Sequence, residues 1–140
     1  MGRKYLLLVT ALTEGGTGLA LAAAPDFVLS LLLGVTSAAP ETMLIGRVAG
    51  GALVAIAIVC RAVRGDGAGP AERGVVLAVL VYDGVAGTVL MWAGASWGMI
   101  GVALWPAVAA HIALAAWCLT CLVGERRAGT SGIDMPGGPD

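Results

Sequence analysis

The 140-residue chain is long enough for one domain, yet 59% of it is hydrophobic and only 12% charged, where a water-soluble domain carries roughly a quarter charged residues. Lipid rather than water is therefore the expected main solvent. A net charge of −1 excludes the clustered basic surface that nucleic acid requires, and an odd set of three cysteines excludes a disulfide framework.

Residues 5–24 follow Arg3 and Lys4 and predict a first span, since about 20 apolar residues at ~1.5 Å rise cover the hydrocarbon core. A cleavable signal peptide has a similar layout, with Ala22-Ala23-Ala24 as its cleavage site. Glu14, Gly15, Gly16 and Gly18 inside the apolar run favour a retained span. Pro25-Asp26 ends this helix. Residues 27–34 are too few to cross and predict a short interfacial segment, followed by a small-residue loop to Glu41. Further spans are expected over residues 43–62, 74–94 and 100–123. Pro106 either kinks the last of them or marks its true first turn. Residues 124–140 carry too little apolar surface to order themselves and predict a mobile tail. The fold class is thus an all-α, four-helix transmembrane bundle.

Lysine and arginine placement gives an orientation. The side holding both termini carries Arg3, Lys4, Arg61, Arg64, Arg73, Arg126 and Arg127, while the opposite loops carry only Asp26 and Glu41. The positive-inside rule puts both termini in the cytoplasm. Trp92, Trp97 and Trp105 then gather near the outer boundary, where indoles favour the headgroup level.

Each span contains one ionisable side chain: Glu14, Arg47, Asp83 and His111. By helical rise from the cytoplasmic ends, Glu14 and Asp83 lie about 13–14 Å deep, His111 about 16 Å and Arg47 about 22 Å. Arginine's length covers much of the remaining gap, so the four are expected to meet in one layer. Thr10, Thr13, Glu14 and Thr17 follow the i, i+3, i+4, i+7 spacing of one helix face, and a polar stripe in lipid faces the bundle. Gly46 and Gly50 form a small-xxx-small pair, and Gly51, one turn from Arg47, is expected on a close-packing face as well. Tyr82 either donates a hydrogen bond to the set or faces lipid. Two carboxyls cannot both ionise cheaply beside one arginine, so either His111 is protonated or Glu14 or Asp83 holds a proton.

Cys118 and Cys121 form a CxxC, readable as a thiol redox pair, although small apolar fillers of a helix end are the simpler reading. No cofactor or metal is assigned. One ligand per helix without a Glu-x-x-His pair suits di-iron chemistry poorly, and a single histidine excludes bis-histidine haem within one chain.

Taken together, Glu14-Gly15-Gly16-Thr17-Gly18, Gly46-Arg47-Val48-Ala49-Gly50, Tyr82-Asp83 and Leu104-Trp105-Pro106-Ala107-Val108 with His111 resemble a group of small, uncharacterised bacterial inner-membrane proteins. In size and four-span plan the chain is also similar to the DoxX-like proteins. The resemblance implies a bacterial inner (plasma) membrane location and a four-helix bundle, and carries no activity. Three functions remain open: an accessory subunit whose polar layer binds a small ligand or partner, a proton-coupled transporter acting as an oligomer, and a membrane thiol oxidoreductase. The expected partners are the bilayer and a homo-oligomer or larger membrane complex.

Overall fold

The computed structural model describes residues 2–65 and 69–130, without the side chains of residues 125–130. Five helices follow in order: α1 Gly2–Ala23, α2 Pro25–Leu33, α3 Pro40–Val63, α4 Pro70–Ser96 and α5 Leu104–Thr130. Four of them are long and apolar enough to cross a membrane; α2, at nine residues, is not. The all-α, four-span reading is what the structure shows, and it fits a small integral membrane protein.

Local chemistry explains the boundaries. Proline opens α2, α3 and α4, where its missing N–H costs nothing. Asp26, Glu41 and Glu72 sit in the first turns of those helices, facing the positive end of each helix dipole. α2 stops at Gly34, which adopts φ +73°, a conformation that only glycine takes without strain. Asp26 accepts a hydrogen bond from the Ala38 N–H at 2.8 Å, pinning the loop before α3.

The last span begins at Leu104 rather than at residue 100. Gly98, at φ +67°, turns the chain, and the Leu104 N–H bonds Gly101 O at 3.0 Å. Pro106 therefore lies in the first turn of α5, the second of the two alternatives above. At the other end α5 continues to Thr130, past the boundary at 123; residues 131–140 of the expected tail lie outside the described residues.

The bundle is built from two antiparallel hairpins, α1 with α3 and α4 with α5. Glycine decides how closely the first closes. A Cβ on Gly50 would lie 2.6 Å from Gly18 O and 2.7 Å from Ala22 N, so the two backbones touch where neither residue has a side chain. Loop 97–103 meets α2 equally closely: the Ala103 N–H bonds Leu31 O at 2.9 Å, and Gly101 has no room for a Cβ against the Leu31 and Leu32 backbone. At the end where α1 begins, Leu6, Leu7, Cys60, Val76, Val79, Leu114 and Cys118 form an apolar cluster.

This packing predicts that Gly50→Leu destabilises the bundle by about 1–3 kcal/mol or more, because overpacking a helix contact forces backbones apart. Gly16→Ala and Gly51→Ala, where an added Cβ meets nothing within 4 Å, should be neutral or stabilising. Unfolding midpoints in detergent for the three variants provide the check.

Candidate functional site

Buried side chains on α1 run Leu6, Leu7, Thr10, Glu14, Gly18, Leu21, a face repeating every three or four residues. On α4 they run Glu72, Val76, Val79, Asp83, Gly87. These two faces and α5 meet at one level. Asp83 is fully buried and Glu14 is 4% exposed, while the His111 side chain is 15% exposed. Gly87 faces His111 across the α4–α5 contact, where an added Cβ would meet His111 Cβ at 3.4 Å, an ordinary packing distance.

Two hydrogen-bonded pairs interlock. His111 Nδ1 lies 2.7 Å from Asp83 Oδ1. One proton must lie between them, with Nδ1–H donating to a carboxylate or a carboxyl O–H donating to bare Nδ1. The Tyr82 hydroxyl donates to Glu14 Oε2 at 3.2 Å, the first of the two placements given above. The Tyr82 and His111 rings meet edge to face, centroids 5.7 Å apart, so each pair props the other. One potential ligand atom each from Glu14, Asp83 and His111 falls within a mutual 4.8 Å. Two polar atoms of the region, Asp83 Oδ2 and Thr10 Oγ1, are buried without a hydrogen-bond partner among the described residues.

Arg47 does not join them. It is exposed and has no hydrogen-bond or ion-pair partner among the described residues. Helix phase is the cause. α3 turns Gly46, Gly50, Leu53, Ala57 and Cys60 inward, and Arg47 sits one residue off that line, about 100° round the helix. Gly51, expected on the packing face, is on the same open flank. Thr13 and Thr17 are likewise exposed, so the polar stripe of α1 is buried along Thr10 and Glu14 only. Thr13 satisfies its hydroxyl on Val9 O and Thr10 O at 3.0 and 3.2 Å, which lets a threonine face lipid.

The cysteines are free. Cys118 is fully buried in the apolar cluster with Cys60, whereas a reactive thiol needs solvent and a neighbouring positive charge. Glu72, absent from the sequence reading, is 3% exposed and pairs with Arg3 at 3.5 Å. The signal was present: Glu72, Val76, Val79 and Asp83 share one helical face.

Against protein-family models, curated proteins and solved structures, the chain matches none. Its site rests on geometry alone.

Tyr82→Phe should cost about 0.5–1.5 kcal/mol through loss of the Glu14 hydrogen bond, while Arg47→Leu should stay within about 0.5 kcal/mol of the parent because that side chain holds no partner among the described residues. Reversible unfolding in a common detergent separates the two. An Arg47→Leu loss as large as that of Tyr82→Phe would place the arginine back in the layer.

Proposed function

We propose that the protein is a small-ligand-binding membrane subunit whose layer of Glu14, Tyr82, Asp83 and His111 takes up a cation, the proton being the smallest. The observation that carries this reading is the charge imbalance of the layer. Two carboxyl groups face one imidazole, and Arg47 points away from them. An uncompensated charge in hydrocarbon costs at least about 2.5–3.5 kcal/mol, so the layer gains by binding positive charge. Clustered titratable groups inside a membrane are functional candidates for this reason.

An accessory role suits the surroundings better than transport. A carrier needs water on both sides of its site, yet the apolar cluster around Leu6, Leu7, Val76 and Leu114 closes the layer towards the termini. A cavity of about 290 Å³ between α3 and α4 is lined by apolar residues, among them Ile56, Val59, Val75 and Val79, and by none of the polar set. The thiol reading has no comparable support, since Cys118 is sealed from solvent. A bacterial inner membrane with both termini in the cytoplasm is part of the proposal, supported by the resemblance and by the basic residues at one end of the bundle.

Two experiments test it. Difference infrared spectroscopy of the full chain in lipid, stepped across neutral pH, should show a protonated-carboxyl band that disappears in Glu14→Gln or Asp83→Asn. In the chelator-treated parent, a spectrum with both groups permanently ionised removes proton uptake from the layer's function. Reporter fusions at the two ends should both report the cytoplasm; opposite locations would contradict the topology.

A further inference from the structure

We propose that Glu14, Asp83 and His111 form a binding site for one divalent first-row transition-metal ion, with each residue giving one ligand atom. This rests on the reading of the layer as a cation site and names the cation. Three ligand atoms within 4.8 Å of one another can be no more than about 2.8 Å from a common point. Bonds of about 2.0–2.2 Å to His nitrogen and carboxylate oxygen then need only a modest inward rotation of side chains. The donors are one imidazole and two carboxylates, a mixed set that suits Zn²⁺, Fe²⁺ or Mn²⁺ better than the all-oxygen shells of Ca²⁺ and Mg²⁺.

Charge points the same way. Two carboxylates with a neutral imidazole total −2, which a divalent ion cancels, leaving a neutral centre inside hydrocarbon. The surroundings already resemble the outer shell of a metal site. Tyr82, outside the three ligands, donates to Glu14 Oε2, the kind of support that fixes ligand orientation. Meanwhile Asp83 Oδ2 and, one turn from Glu14, Thr10 Oγ1 are fully buried without partners among the described residues, a cost that an ion and its remaining ligands relieve. The sequence hid this because its ligands come one per helix, from α1, α4 and α5, with no local spacing to read.

The test titrates the chelator-stripped full chain in lipid nanodiscs with Zn²⁺ and with Mn²⁺, followed by calorimetry. One ion per chain is expected. Glu14→Gln, Asp83→Asn and His111→Gln should each weaken binding at least tenfold, and Tyr82→Phe about 10-fold through its contact with Glu14. Cys118→Ser with Cys121→Ser should leave binding unchanged. Should a layer variant fail to fold, X-ray absorption on the Zn²⁺-loaded parent decides: a shell of nitrogen and oxygen with imidazole scattering supports the site. No saturable binding, sulfur in the first shell, or loss of binding in the cysteine variant overturns it. A parent that binds neither ion but keeps the pH-dependent carboxyl band overturns the metal site alone; absence of both removes the cation reading as well.

Discussion

In hydrocarbon a carboxylate cannot rely on water, and this bundle brings two of them to the level of its only histidine. The 2.7 Å contact between His111 and Asp83 is the fixed point around which the other polar groups are placed. Tyr82 stacks its edge on the imidazole and reaches across to Glu14, tying α1 to the α4–α5 hairpin through polar chemistry. In lipid, where apolar contact alone drives helix association weakly, such links act as glue. The same low dielectric that strengthens these bonds makes every unpaired atom among them expensive.

Packing delivers the helices to that contact. Gly18 and Gly50 let α1 and α3 touch backbone to backbone, and the phase this sets on α1 turns Glu14 inward. On the other hairpin Gly87 packs against His111 and Ile112 at ordinary contact distance. At the end where α1 and α4 begin, the apolar cluster and the Arg3–Glu72 pair at 3.5 Å close the bundle. The layer is consequently buried at Glu14 and Asp83 and sets two carboxyl groups beside one imidazole.

Much of this was legible in the sequence, and the exceptions share a cause. Span number, the inward turn of Glu14, Asp83 and His111, and the Gly46–Gly50 face follow from hydropathy and helical spacing, since hydrocarbon penalises misplaced polar groups heavily. Arg47, Thr13, Thr17 and Gly51 were expected on the packing face and are exposed. Each lies off the buried line of its helix, from about 45° for Thr17 to about 140° for Gly51, a difference that depth arithmetic cannot resolve and that only the packing of two particular helices decides. Long or self-satisfying side chains tolerate the flank: arginine can extend towards the headgroups, and Thr13 bonds its own backbone. Tyr82 could not be assigned from spacing either, because its partner Glu14 lies on a different helix.

Because the chain has a single histidine, nitrogen-15 labelling of that ring gives an unambiguous probe of the central contact. Solid-state NMR of the protein in lipid should show His111 Nδ1 in a strong hydrogen bond, protected from solvent exchange, with its shift altered by Asp83→Asn and, more weakly, by Glu14→Gln. An imidazole signal that exchanges freely with water and ignores both substitutions would contradict the existence of the layer.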